Sequence, residues 1–135
     1  MFPTPAQAHE DFAEEVMEFL SRNPGIQRVE VLYSGFYGGL RGKWLPVDAL
    51  SNLVGHGIRL PTSTVALDVW SEDVPKLGLA IERGDPDSQG VPVAGSLVRV
   101  PWATQPTAQM LVTLYDPTSD EPGPLEPRHV LQKVQ

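Results

Sequence analysis

The sequence contains no cysteine, which excludes disulfides, thiolate zinc sites, iron–sulfur clusters and cysteine nucleophiles. This absence is also typical of proteins from a reducing, cytoplasmic compartment. No apolar run approaches the roughly eighteen residues of a membrane span, and the first residues lack the basic and apolar segments of an export signal. We therefore expect a cytoplasmic protein without a membrane partner.

Basic residues are also few. The chain has ten lysines and arginines and seventeen aspartates and glutamates, so its formal net charge is −7. Nucleic-acid binding needs a basic surface, which this balance does not supply, so we expect no nucleic-acid partner. Hydrophobic residues make up 41% of the 135 positions, enough for the core of one domain. Fourteen prolines and twelve glycines favour short strands and turns over an all-helical bundle.

The hydrophobic pattern predicts an amphipathic N-terminal helix. Thr4 occupies the position of an N-cap, Pro5 that of the first helical residue, and Gln7 that of the distal capping-box residue. Apolar residues recur at helical spacing as far as Leu20, and the helix is expected to end at Asn23.

After this helix the apolar period changes to two, which is typical of strands. Strands are predicted at residues 26–33, 40–46, 58–60, 91–101 and 108–115, and a short helix closed by Gly55 at 48–54. A second amphipathic helix is predicted to begin at residues 126–128, after an acidic, proline-rich connector. The predicted fold is α+β, a mixed sheet of about five strands packed by helices.

No complete active site is predicted from the chemistry of the residues alone. The glycine-rich segment before Lys43 fails the phosphate-loop pattern at Tyr37 and at Trp44. His9, His56 and His129 lie on three separate predicted elements, so no metal ligands are assigned. The aspartates in Gly84–Asp87 suit either an acid/base pair or, more commonly, a turn that accepts backbone N–H groups. The three tryptophans, Trp44, Trp70 and Trp102, suit either the lining of a ligand site or, more commonly, buried anchors, and we expect buried anchors.

Six features in order over residues 28–134 resemble the N-terminal domain of the glutamine synthetase family. They are a strand ending in a glycine-containing turn, Arg41-Gly42-Lys43, Pro46, Gly84–Asp87, Pro101-Trp102, and Pro127-Arg128 with Val130-Leu131. The acidic N-terminal helix, the Pro-Thr-Ser loop at 61–63 and the Gly-Asp-Pro-Asp spacing are most similar to the γ-glutamyl-polyamine (putrescine) synthetase branch of that family.

The resemblance implies a β-grasp-like domain of an ATP-dependent ligase that joins glutamate to ammonia or to an amine. It divides the chain into an N-terminal helix (1–25), a β-grasp domain (26–116), and a connector with the first helix leading to an absent C-terminal catalytic domain (117–135). ATP and Mg or Mn are expected in the full-length enzyme and not in this chain, which we expect to be inactive alone. The implied partners are neighbouring subunits of a homo-oligomeric ring, glutamate and a small amine.

In the family a loop of the form Asp-Gly-Ser-Ser reaches the neighbouring subunit's active site and binds ammonium. The matching residues are Pro61, Thr62, Ser63 and Thr64, so a proline stands in place of the aspartate. Without that carboxylate a larger primary amine, such as a polyamine, is the expected substrate. Thr62, Ser63 and Thr64 are the predicted substrate-binding residues; the alternative is that their hydroxyls satisfy backbone groups of the turn.

Two functions from different classes are therefore considered. One is the N-terminal domain of a glutamate–amine ligase. The other is a free-standing β-grasp module that binds partners and catalyses nothing. The apolar residues Val130, Leu131 and Val134 near the end of the sequence favour the first, because a further domain is expected to cover them.

Overall fold

The first helix, α1, spans Pro5–Arg22 in the computed structural model, which describes residues 2–80 and 84–135. The Thr4 side chain accepts a hydrogen bond from the Gln7 backbone N–H at 3.3 Å, as the capping pattern predicts. Ala8, Phe12 and Val16 are buried against the sheet. None of the described helices is long and apolar enough to cross a membrane.

Six strands form one mixed sheet with the order β2-β1-β6-β4-β3, and β5 pairs with β6. The strands are β1 Arg28–Ser34, β2 Leu40–Pro46, β3 Ile58–Pro61, β4 Asp87–Pro92, β5 Val98–Arg99 and β6 Thr107–Tyr115. Two further α-helices occur among the described residues: α2, Leu50–His56, and α3, Pro127–Val134. The predicted α+β fold is confirmed. The sheet has six strands among the described residues, where about five were expected.

The centre of the sheet is a parallel pair, β1 and β6, with antiparallel strands outside it. Every second residue of β1 is buried, namely Val29, Val31 and Tyr33. These side chains share one core with α1, α2 and the buried side chains Met110 and Val112 of β6. The alternation places one face of β1 on the core, which sets the register of the predicted hairpin with β2.

Two boundaries differ from the sequence prediction. The strand predicted at residues 91–101 is wrong: β4 begins at Asp87 and ends at Pro92, and a turn with Gly95 at φ 79° separates it from β5. The carboxylate of Glu15, on α1, holds this turn by accepting the backbone N–H groups of Gly95 at 2.7 Å and Leu97 at 2.8 Å. A contact between residues so far apart in sequence leaves no periodic signal.

The second difference is at the end of α2. The helix continues to His56, and Gly57, not Gly55, follows it with φ 65°. The Gly57 backbone N–H donates to the Leu53 carbonyl at 3.0 Å. An ideal Cβ at Gly57 would lie 2.5 Å from the Gly90 oxygen, whereas one at Gly55 would meet no atom within 4 Å. The close approach to β4 requires glycine at position 57.

His9 links the stability of this region to pH. Burial lowers the pKa of His9 below its ordinary value of 6.5; the nearby His56 lowers it further, and the carbonyls of Leu53 and Val54 oppose the shift. Because the unfolded chain takes up the proton first, the free energy of unfolding should decrease as the pH falls below about 6.5. Urea unfolding between about pH 7 and pH 5 should show a smaller decrease for His9→Gln.

His56→Gln is the matched control for this prediction. His56 is exposed and lies on α2, which contacts the helix α1 that carries His9. That variant should keep most of the pH dependence. Equal pH dependence in wild type and His9→Gln would contradict the assignment of the effect to His9.

Candidate functional site

The predicted substrate residues lie in the segment that leaves β3 at Pro61 and runs to Trp70, starting with a short 3₁₀ turn at Thr62–Ala66. We call it the Pro61–Trp70 loop. The Thr62 hydroxyl donates to the Pro86 carbonyl at 2.8 Å and also lies 2.8 Å from the Ser88 Oγ. The Thr62 backbone N–H donates to the same Pro86 carbonyl at 2.9 Å. The start of the loop is therefore fastened to β4 and to the turn before it.

The other two predicted substrate residues also face inward. The Thr64 hydroxyl donates to the Pro61 carbonyl at 2.8 Å, three residues earlier. Ser63 is only 6% exposed and lines a small cleft of about 10 Å³ together with Asp73. The bonds of Thr62 and Thr64 satisfy backbone carbonyls, which is one of the two roles considered for them. Contact with an amine stays a prediction for all three residues.

The second half of the loop is held by Asp68. Its Oδ1 accepts the backbone N–H groups of Trp70 at 2.8 Å and Glu72 at 3.0 Å, and Ser71 adopts φ 68°. This local arrangement turns the Trp70 side chain outward, where it is 81% exposed.

Arg41 fastens the same part of the loop to the sheet. Its guanidinium donates to the Asp68 carbonyl at 2.5 Å and to the Ser71 Oγ at 2.6 Å. Arg41 lies on the edge strand β2, so these two hydrogen bonds join the loop to this edge of the sheet. Sequence reasoning tested the Arg-Gly-Lys segment as part of a phosphate loop and used it in the family resemblance, but it missed this contact.

Exposed apolar side chains lie on the loop and on the β1–β2 hairpin that is hydrogen-bonded to it. The exposed side chains are Phe36, Tyr37 and Leu40 of the β1–β2 hairpin and Val69 and Trp70 of the loop. The Phe36 backbone N–H donates to the Val65 carbonyl at 2.9 Å, which joins the hairpin turn to the loop. We call these five side chains the aromatic patch.

The expectation that the tryptophans are buried anchors is wrong. Trp44 and Trp102 are exposed as well as Trp70. The Trp44 ring lies on the β2 surface with the Arg28 guanidinium 4.3 Å from its centroid, and its Nε1–H donates to Glu30 at 3.0 Å. The described core is filled instead by aliphatic side chains, Met110, Phe12 and Tyr33, and contains none of the three tryptophans.

A cavity of about 280 Å³ lies behind the loop, between it, β4, the end of β6 and the connector to α3. We call it the inner cavity. It is lined by Thr62, Val65, Leu79, Pro86, Ser88, Leu114, Asp116, Pro117, Thr118, Gly123, Pro124, Leu125 and Glu126. Burial raises the pKa of Glu126, and the His129 backbone N–H and the Arg128 charge oppose this shift.

The remaining candidate groups do not form a site. Asp87 is exposed at the start of β4, and Asp85 lies in the preceding turn with φ 42° beside Gly84 at φ 72°. Within residues 2–80 and 84–135 no group of three or more histidines, aspartates or glutamates is placed to hold a metal ion. The candidate site is therefore the loop that carries the predicted substrate residues, with the inner cavity behind it.

No family model matches the chain. It is 40% identical over 125 residues to the N-terminal region of the γ-glutamylputrescine synthetase PuuA of Escherichia coli (strain K12). The match covers 91% of this chain and 26% of the relative, so the chain spans about a quarter of the length of that protein.

Solved structures share the fold. A complex of GmaS with ADP superposes with a TM-score of 0.64 at 20% identity, covering 88% of this chain and 24% of GmaS. GmaS without ligand has a TM-score of 0.63 at 22% identity, over 85% of this chain and 24% of the other. A glutamine synthase homologue has a TM-score of 0.65 at 22% identity, over 80% and 25%. The resemblance of this chain to the N-terminal domain of the glutamine synthetase family, and within it to γ-glutamylputrescine synthetase, is therefore confirmed in sequence and in fold.

Proposed function

We propose that this chain is the N-terminal domain of an ATP-dependent ligase that joins glutamate to a primary amine. In this proposal the Pro61–Trp70 loop contacts the neighbouring subunit and closes its amine pocket. The similarity to a γ-glutamylputrescine synthetase supports the reaction class. The free-standing interaction module remains the alternative from another class.

The observation that carries the proposal is the exposure of Trp70 on a loop whose backbone is held by hydrogen bonds. Two Arg41 bonds and two Asp68 bonds fix the backbone on both sides of a side chain that is 81% exposed. An exposed aromatic group on a fixed backbone loses little entropy when a partner covers it, so such groups are typical interface anchors. The other four side chains of the aromatic patch add further exposed apolar surface to that of Trp70.

The chemistry of the loop favours an amine larger than ammonium. Pro61 stands where a carboxylate would select a small cation, and Thr62, Ser63 and Thr64 offer only neutral hydroxyls. Among the described residues no group of three or more histidines, aspartates or glutamates is placed to hold a metal ion. We propose that ATP and Mg or Mn are held by a catalytic domain joined to it, in a cytoplasmic ring of identical subunits.

The experiment is steady-state kinetics of a ligase that contains this chain. Because Ser63 is buried, Ser63→Leu should push the loop outward and raise the KM for the amine about tenfold, with the KM for ATP within about twofold of wild type. Ser21→Leu, the same change on the exposed face of α1, is the matched control and should alter neither value.

Because Ser63 is buried, its replacement can also disturb folding, so Trp70→Ala provides a second test. Trp70 is exposed and its loss should leave the unfolding curve unchanged while it weakens subunit assembly or raises the amine KM. Wild-type amine kinetics and assembly in both folded variants would refute the proposed role of the loop.

A further inference from the structure

A cleft of about 400 Å³ lies between α3, the turn after β4 and the first residues of the chain. We call it the α3 cleft. Thr113 and Tyr115 of β6, which are both buried, line it together with Arg128 of α3. It shares no lining residue with the inner cavity or with the Pro61–Trp70 loop. Its volume falls within the range of sites for small organic molecules.

Contacts within the chain hold two sides of the α3 cleft in place. The Tyr115 hydroxyl donates to the Pro3 carbonyl at 2.7 Å. Burial and the charge of Glu126 raise the pKa of Tyr115 to about 12, so this hydroxyl keeps its proton at neutral pH. The Phe2 ring stacks on the His129 ring, with the two centroids 5.7 Å apart. The first residues are thereby attached to β6 and α3, and a ligand would enter a preformed cleft.

Arg128 carries the only charged side chain among the described residues that line the cleft. It is partly buried, yet its one hydrogen bond to the described residues is the long bond from Nη1 to Thr113 Oγ1, at 3.4 Å. Because Thr113 also lines the cleft, this bond places the guanidinium at the cleft wall. Arginine is rarely withdrawn from water without a charged partner.

The other N–H groups of this guanidinium are free to bind a ligand. Nε and Nη2 donate to no atom of the described residues, and neither belongs to the buried nitrogens without a partner, so both stay accessible. The Arg128 charge acts on Glu126, but the two side chains form no ion pair in the part of the chain that the structure describes. The Glu126 carboxyl accepts the His129 backbone N–H instead.

The rest of the lining is apolar or neutral. Phe2, Val93 and Leu131 contribute apolar side chains, and Gln132 contributes an amide. No aspartate or glutamate is among the described residues that line the cleft. A ligand with one carboxylate and an apolar body would match this lining. An ammonium group would find no carboxylate there and would be repelled by Arg128.

We propose that the α3 cleft binds an apolar monocarboxylate that carries no ammonium group. The two carboxylate oxygens accept the Nε and Nη2 groups of Arg128 side by side, which is the geometry that a guanidinium favours. The apolar body lies against Phe2 and Leu131. This inference goes beyond the proposed function, because glutamate and a primary amine both carry an ammonium group. Its failure would leave the loop proposal, which is tested by kinetics, untouched.

The test is titration of the ¹⁵N-labelled 135-residue chain with sodium 3-phenylpropionate, followed by two-dimensional NMR. A Gly-Ser-Gly-Ser extension after Gln135 moves the terminal carboxylate away from the cleft, which Gln135 lines. We expect saturable shifts of the amides around the cleft. Arg128→Gln should weaken binding about tenfold or more, because it removes a charge-assisted pair of hydrogen bonds. Arg59→Gln makes the same change at an exposed residue of β3 and should bind as wild type does.

Ala94 provides a second pair of variants in case Arg128→Gln does not fold. Ala94 is exposed in the turn after β4 and lines the cleft. Ala94→Glu adds a negative charge to the wall, whereas Ala94→Gln adds the same bulk without the charge. Ala94→Glu should therefore bind phenylpropionate about fivefold more weakly than Ala94→Gln does.

Two further ligands test the chemistry of the bound molecule. 3-Phenylpropanamide has the same apolar body with a neutral amide, and L-phenylalanine differs from phenylpropionate only by its ammonium group. Both should bind at least about tenfold more weakly than phenylpropionate. Any one of four results would overturn the inference: no saturable shift with the folded wild type, either control ligand bound as tightly as phenylpropionate, undiminished binding by folded Arg128→Gln, or equal binding by the two Ala94 variants.

Discussion

Replacing Gly42 by alanine should separate the β1–β2 hairpin and lower the free energy of unfolding by about 3 kcal/mol or more. An ideal Cβ at this position would lie 1.8 Å from the Val31 oxygen and 2.7 Å from the Val31 carbonyl carbon. Both atoms belong to the backbone of β1, so no side-chain rotation can relieve the overlap. Urea unfolding measures the loss.

The same substitution tests how the loop is held. Gly42 follows Arg41, whose guanidinium fastens the Pro61–Trp70 loop through Asp68 and Ser71. If β2 moves away from β1, the amides of that loop should exchange with solvent faster. Gly39→Ala, in the same hairpin, is the control: its Cβ would meet no atom within 4 Å, and stability should change by less than about 1 kcal/mol. Equal stability of the two variants would show that the strands are not held as described.

The purified 135-residue chain should form no γ-glutamyl product when it is supplied with ATP, Mg²⁺, glutamate and putrescine. Transfer of this kind needs a cradle for the phosphates and ligands for the metal. The glycine-rich hairpin lacks the phosphate-loop residues, and no metal-ligand group occurs among the described residues. Chromatographic detection of γ-glutamylputrescine against a blank is the measurement.

The γ-glutamylputrescine synthetase of Escherichia coli, assayed in parallel, is the positive control. Product above the blank from the 135-residue chain would contradict the assignment of the catalytic groups to another domain.

The mass of the protein in its source cells separates the two functional classes. This chain covers 26% of the Escherichia coli relative. We therefore expect a polypeptide about four times this length for the ligase. A mass of 14.8 kDa, that of the 135 residues alone, would favour the free-standing module.

Local patterns predicted the elements whose stabilising contacts are close in sequence. The cap of α1 depends on Thr4 and Gln7, three residues apart, and both are visible in the sequence. The hairpin of β1 and β2 has alternating burial on one strand and a glycine turn between the two. The helix at the end of the sequence was likewise predicted from Glu126 and Pro127, and it begins there.

The candidate site was only partly predictable. The resemblance pointed to Thr62, Ser63 and Thr64, and the structure places them in one turn behind which the inner cavity lies. It did not point to Arg41 as the residue that holds the loop, nor to Glu126 as a wall of the cavity. Both depend on contacts between residues from different elements, for which a single sequence carries no periodic signal.

The sequence by itself determined the class of the fold, the ends of α1, the hairpin and the absence of thiol chemistry, because each follows from composition or from neighbours a few residues apart. Only the tertiary structure decided that Trp70 is exposed, that Gly57 and not Gly55 is needed beside β4, and that Glu126 is buried with an unpaired oxygen. Burial depends on which elements pack together, and that packing is a balance over the whole chain.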